Sequence, residues 1–195
     1  MNITVYCGAR HGKDPEFTVR AEELGRWMAE NGHRLVYGAG DVGSMGVISN
    51  AVLDNGGEVI GVTPGFFITA EEIHERLTDL QIVPDLPERR SSMIAQGDAF
   101  IARPGGTGTL DEITEVITLT RLGRLSETVK PVMLYNINGY YDYLFRFFDR
   151  MAEEEFFTQK DRENIHEVRS VDDIARVLEN AGRYDETRNR LYSDK

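Results

Sequence analysis

Apolar residues along this chain follow two rhythms that take turns. Short, nearly continuous runs such as Ile3-Thr4-Val5-Tyr6, Leu35-Val36-Tyr37, Ala99-Phe100-Ile101-Ala102 and Val132-Met133-Leu134-Tyr135 read as strands buried on both faces. Between them apolar positions recur at helical spacing, as Phe17, Ala21, Leu24, Trp27 and Met28 do on one stripe. The pattern predicts strands over Asn2–Cys7, Arg34–Tyr37, Glu58–Thr63, Asp79–Val83, Asp98–Ala102 and Pro131–Tyr135. It predicts helices over Pro15–Glu30, Ser44–Asn55, Glu88–Gln96, Thr109–Leu122, Tyr140–Glu153 and Val171–Asn180. Such alternation points to an α/β fold, Rossmann-like and doubly wound, with helices on both faces of a mostly parallel sheet. In such sheets ligands bind beyond the carboxyl ends of the strands.

No linker, low-complexity segment or internal repeat interrupts the alternation, so one domain is expected over residues 1–195, with a charged, peripheral tail from about residue 183. A chain of 195 residues can bury about 70% of the surface that it exposes when unfolded. Its single cysteine, Cys7, rules out an internal disulfide framework. The sequence has no secretory leader and no apolar run near membrane-spanning length, so a cytoplasmic protein is expected. The net charge of -11 repels nucleic acid and anionic membranes at long range, and neither is expected as a partner. A small phosphorylated ligand is still allowed, because local arginines and oriented amides dominate within a Debye length of about 8 to 10 Å.

Three strand ends carry loops of small residues, all expected on one edge: Cys7-Gly8-Ala9-Arg10, the stretch from Tyr37 to Gly43, and Arg103 to Thr109. The second contains Gly38-x-Gly40-x-x-Gly43, the outline of a dinucleotide fingerprint. The acidic residue that such a site needs at the end of the next strand is missing, since Thr63 and Pro64 stand there. A structural turn or the wall of another nucleotide-like pocket fits that loop better than NAD. The third loop, Pro104-Gly105-Gly106-Thr107-Gly108-Thr109, is no Walker motif, because no Lys-Ser/Thr pair follows its glycines. Glycines between a strand and a helix start nevertheless let the backbone approach an anion at the helix's positive end.

Two readings of Glu112 stand side by side. Thr109-Leu110-Asp111-Glu112 fits a capping box, in which Thr109 and Glu112 satisfy each other's backbone amides. Alternatively, Glu112 is a carboxylate beside the anion site, ionised at neutral pH, able to activate water or stabilise a cationic sugar. Arg89 and Arg90 follow a helix-start signal, where cations oppose the helix dipole, which suggests a ligand. Adjacent helical side chains diverge by about 100°, so the two guanidiniums would serve different groups. Cys7 reads as a small buried hydrophobe, not a nucleophile. His11, His33, His74 and His166 show no metal-ligand spacing, so no metal is expected.

Together these residues resemble the Lonely Guy family, the cytokinin riboside 5'-monophosphate phosphoribohydrolases, often labelled lysine decarboxylases. Pro104-Gly105-Gly106-Thr107-Gly108-Thr109-Leu110-Asp111-Glu112 is similar to the family's PGGxGTxxE. Arg89-Arg90 with Met93, followed by Asp98-Ala99-Phe100-Ile101-Ala102, is similar to its RKxxM and DAFIA stretch, and Gly139-Tyr140-Tyr141-Asp142 matches a further segment. The resemblance implies hydrolysis of a purine nucleoside 5'-monophosphate without a cofactor, by a homodimer whose subunits share active sites. It implies catalytic roles for Arg89 and Glu112. Substrate-binding roles fall to Glu72, Arg90, Gly105, Gly106, Thr107, Gly108, Thr109 and Thr118, with Gly8, Gly40, Gly43 and Met45 around them. A non-catalytic carrier of a phosphorylated ligand, such as a molybdenum-cofactor carrier, is the alternative on the same fold. Four departures from the family pattern stand out. Ala39 replaces a usual glycine, Arg103 a usual leucine, Arg90 a usual lysine, and Leu86-Pro87 the usual Met-His. Arg103 beside the pocket and the missing Met-His bear on base preference, leaving plain AMP and a prenylated nucleotide both open.

Overall fold

The computed structural model describes residues 1–68, 73–125 and 130–181. The strands are β1 (Asn2–Tyr6), β2 (Arg34–Tyr37), β3 (Val59–Pro64), β4 (Asp79–Val83), β5 (Ala99–Ala102), β6 (Val132–Tyr135) and β7 (Ile165–Val168). The helices are α1 (Glu16–Glu30), α2 (Gly43–Asp54), α3 (Leu86–Gln96), α4 (Thr107–Arg121), α5 (Asp142–Glu153), the short α6 (Gln159–Glu163) and α7 over residues 171–181. Among the described residues the strands form one parallel sheet in the order β4-β3-β2-β1-β5-β6-β7. This is the doubly wound architecture expected from the alternation of elements.

Strand alternation divides the interior into two cores. Ile3 and Val5 of β1 join Leu24 and Met28 of α1, Ile48 and Val52 of α2 and Ile174 of α7 on one face of the sheet. Tyr6 of β1 joins Met93 of α3, Ile113 and Val116 of α4 and Phe145 and Phe148 of α5 on the other. Thr4, on this second face, stays satisfied while buried because its hydroxyl donates to the Met93 carbonyl at 3.0 Å. The central strands are sealed on both sides, which is why they read as unbroken apolar runs.

The sequence pattern missed α6 and β7. α6 has five residues, all polar, held by a capping box between Thr158 and Asp161. β7 buries only Ile165 and Val168, with His166 and Glu167 between them, so it carries little of a core strand's signal. α3 begins at Leu86, two residues before the expected start, because the Asp85 side chain caps it by accepting from the Glu88 amide at 2.9 Å. The tail beyond residue 181 lies outside the described residues. Among those described, no helix is long and apolar enough to cross a membrane.

Candidate active site

Winding reverses between β1 and β5, which pair directly, Tyr6 opposite Ala102. The loops that leave these two strands therefore run to opposite faces and open a crevice at their carboxyl ends. A cavity of about 280 Å³ lies there. Cys7, Gly8 and Ala9 line it from the end of β1, Gly38 and Met45 from the loop and helix after β2, and Phe67 from the turn after β3. Arg89 and Met93 line it from α3, and Gly106 to Thr109 with Glu112 from α4. The three small-residue loops thus meet on one edge, as their positions after parallel strands require.

The start of α4 decides between the two readings of Glu112. Gly106 is the N-cap and no side chain caps the helix; the first intrahelical bond runs from the Leu110 amide to the Gly106 carbonyl at 3.1 Å. Thr109 is therefore the third helical residue rather than the cap, and a capping box with Glu112 does not form. The amides of Thr107, Gly108 and Thr109 have no carbonyl one turn earlier within the helix. They stand with the dipole's positive end at the cavity. A Cβ built on Gly106 or Gly108 would meet no atom within 4 Å, so the room at these glycines is open.

Glu112 lies one turn deeper. Burial pushes its carboxyl up to about 7, with Arg89 and, more weakly, Arg90 pulling down and Asp111 pushing up. Burial thus works against the ionised form expected at neutral pH, and the Arg89 guanidinium works for it.

Arg89 faces the same cavity. Its Nε donates to the Val62 carbonyl at 3.0 Å and its Nη2 to the Gly38 carbonyl at 2.8 Å, and the guanidinium lies 5.7 Å from the Phe67 ring centroid. Strand-end carbonyls thus offset the unfavourable placement of a cation in the first turn of α3. Gly38 is required for this approach, because a Cβ there would stand 1.9 Å from Arg89 Nη2.

Arg90 points elsewhere, as the helical offset demands. It bonds Glu115 at 2.6 Å and Asp111 at 3.3 Å, bridging α3 to the outer side of α4, and is absent from the cavity wall. Gly40 and Gly43 are absent from it as well. Gly43 adopts φ 60° with Ala9 so close that a Cβ would fall 2.3 Å from the Ala9 carbonyl carbon, so this glycine serves packing. Gly105 closes the α4 loop behind the cavity, where a Cβ would sit 2.2 Å from Thr109 Oγ1. Thr118 is exposed on α4, its hydroxyl turned back to the Thr114 carbonyl at 2.8 Å. Within one chain it does not reach the cavity. Glu72 lies outside the described residues.

Arg103 also departs from expectation. It is wholly buried beneath the loop, where a guanidinium N–H donates to the Phe17 carbonyl, and it does not line the cavity. Cys7 does line it, but burial pushes its thiol up to about 12 and keeps it protonated. Phe67 and Met45 supply apolar wall; of these the sequence reading named only Met45. Phe67 comes from a three-residue turn, Gly65–Phe67, that carries no periodic signal. Among the described residues no group of three His, Cys, Asp or Glu is placed to hold a metal.

The family model described as "possible lysine decarboxylase" matches residues 45–179. The cytokinin riboside 5'-monophosphate phosphoribohydrolase LOG7 of Arabidopsis thaliana is 39% identical over 194 residues, covering 99% of this chain and 88% of its own length. The corresponding enzyme of Rhodococcoides fascians is 42% identical over 165 residues, covering 84% and 82%. Among solved structures, the molybdenum cofactor binding protein of Rippkaea orientalis superposes with a TM-score of 0.67 over 92% of this chain and 95% of its own. At 20% identity, that likeness establishes the fold alone. By the family model and by relatives near 40% identity over most of its length, this chain belongs to the Lonely Guy family of cytokinin riboside 5'-monophosphate phosphoribohydrolases.

Proposed function

We propose that this chain, acting as one domain, hydrolyses the N-glycosidic bond of purine nucleoside 5'-monophosphates, AMP and its prenylated cytokinin forms, to free base and ribose 5-phosphate. The observation that carries the reading is that Arg89 and Glu112 share one cavity with the uncapped start of α4. In this reading the 5'-phosphate sits on the amides of Thr107, Gly108 and Thr109. Anchoring that remote group converts binding energy into alignment of the sugar beside Glu112.

Bond cleavage sends the glycosidic electron pair to the base and leaves positive charge on the ribose. Ionised Glu112 stabilises that charge and accepts a proton from the attacking water, whose oxygen bonds the anomeric carbon. The proton taken up by Glu112 passes on to the departing base nitrogen, so one water is consumed, Glu112 returns to its ionised form and no redox partner is needed. Arg89, fixed on two carbonyls, favours the ionised form of Glu112. Among the described residues no lysine lines the cavity, which weighs against decarboxylation through a lysine-bound cofactor.

The active unit is a homodimer in this reading. An outward stripe of α4 and its C-cap, Leu110, Thr118 and Leu122, is exposed and would present Thr118 to the partner's pocket. Incubation with AMP, other nucleoside monophosphates and a prenylated AMP, scoring base against ribose 5-phosphate, tests the activity. Equal release of both products is expected, and release from none of them sinks the proposal. Retention of a molybdopterin-like chromophore with AMP left intact would put a carrier in its place.

A further inference from the structure

The Gly139-Tyr140-Tyr141-Asp142 segment contributes nothing to the reaction as derived above, yet both tyrosine hydroxyls end on the phosphate loop. Tyr141, buried just before α5, donates to the Arg103 carbonyl at 2.7 Å. Tyr140, still 45% exposed, donates to the Gly105 carbonyl at 2.5 Å. Ring contacts fix the second hydroxyl in place. Tyr140 meets Phe17 edge-on with centroids 5.8 Å apart and Tyr141 edge-on at 5.0 Å. The turn beneath is held by Asn136, whose Oδ1 accepts from the Tyr141 amide at 2.7 Å, and by Asn138, which donates to Asp14 at 2.8 Å.

The Gly105 carbonyl and the Gly106 amide belong to one trans peptide, so they point in opposite directions. Tyr140 and Gly105 border a second cavity of about 400 Å³ on one side of the loop. Gly106 borders both that cavity and the one holding Glu112. A hydroxyl that holds the carbonyl toward Tyr140 therefore turns the Gly106 N–H away from Tyr140, and the Glu112 cavity is bordered by Gly106 but by neither Gly105 nor Tyr140. Glycine on both sides makes this peptide cheap to flip, and a flipped peptide would present a carbonyl lone pair to the anion.

We propose that Tyr140 is a positioning residue: its hydroxyl locks the Gly105–Gly106 peptide with the amide facing the phosphate, completing the anion site from outside the pocket. The inference rests on the phosphate placement given under Proposed function. Binding of ribose 5-phosphate, which requires no turnover, tests it apart from hydrolysis.

In Tyr140→Phe, which keeps the ring and its packing, the Kd for ribose 5-phosphate by calorimetry rises about three- to tenfold, the range of one neutral hydrogen bond. KM for AMP rises by the same factor, kcat stays within about threefold, and adenine binding is unchanged. In ¹⁵N spectra the Gly106 amide shifts with ribose 5-phosphate in the parent protein and not in the variant. Tyr143→Phe, at a site 81% exposed on α5, is the control and leaves both ligands alone. Unchanged ribose 5-phosphate affinity in Tyr140→Phe overturns the proposal. Equal weakening of adenine and ribose 5-phosphate does so too, since that marks a general loss of structure. If the parent protein binds ribose 5-phosphate and loses it in the variant but leaves AMP intact, the hydrolase reading fails and this one stands.

Discussion

The loop after β2 and the loop after β5 look alike as strings of residues, each a cluster of glycines between a parallel strand and a helix. The glycines at the two helix starts do opposite things. At the start of α2 a Cβ on Gly43 or Gly46 would fall 2.3 Å or 2.2 Å from backbone atoms of Ala9 and Asp41, so the absent side chains let one segment of the protein lie against another. At the start of α4 a Cβ on Gly106 or Gly108 would touch nothing within 4 Å, and the vacancy faces the cavity with Arg89 and Glu112. A glycine pattern shows where backbones come close. Whether a ligand or another part of the chain fills the space is decided by the tertiary fold.

The sharpest way to break this contrast is substitution at its two ends. Gly43→Ala should destabilise by about 3 kcal/mol or more, read from urea unfolding, because it combines left-handed backbone with a backbone clash. A well-folded Gly43→Ala protein would remove the packing role. Glu112→Gln should leave AMP affinity within about tenfold while base release falls at least about a hundredfold. Near-normal turnover would detach the chemistry from the open loop.

Gly108→Ala tests that loop directly. Stability should hold or rise by up to about 1 kcal/mol, since alanine favours a helix, while KM for AMP rises about tenfold as the methyl enters the anion's space. Ordinary AMP binding there would make the two loops alike in kind. The smallest expected effect is on pH dependence. Burial pushes the Glu112 carboxyl up to about 7 in the folded chain against 4.5 for the free side chain, so its ionisation opposes folding, increasingly as pH rises from 4.5 through 7. The melting temperature of Glu112→Gln relative to the parent should therefore climb by at least about 2 °C between pH 5 and pH 8. In the parent, kcat/KM should lose activity below an apparent pKa near 7.

Much of this arrangement is legible along the chain because it is local. Strands buried on both faces announce themselves as apolar runs, and the glycine loop, Arg89 and Glu112 lie in short motifs at fixed offsets. What escapes is set by contacts across long sequence separations. The helix register that denies Glu112 a capping role depends on Gly106 being the cap, two or three residues earlier than composition suggests. The fate of Arg103 depends on Phe17, 86 positions away, and the grip of Tyr140 on Gly105 spans 35. The divergence of Arg89 and Arg90 was readable from helix geometry. Which of them met the cavity was not, since that depends on the carbonyls of Gly38 and Val62.

The buried bond from Arg103 to Phe17 has a consequence for motion. Its guanidinium is stripped of water, which pushes its pKa down, and beside the bond to Phe17 its polar company is mainly the Cys7 side chain. Exposing the Phe17 carbonyl alone would strand the charge further, so the first turn of α1, the phosphate loop and the tyrosine turn should open together or not at all. Hydrogen exchange would then register an anion at Thr107 to Thr109 as slowed exchange at the beginning of α1, a segment absent from the wall of the Glu112 cavity.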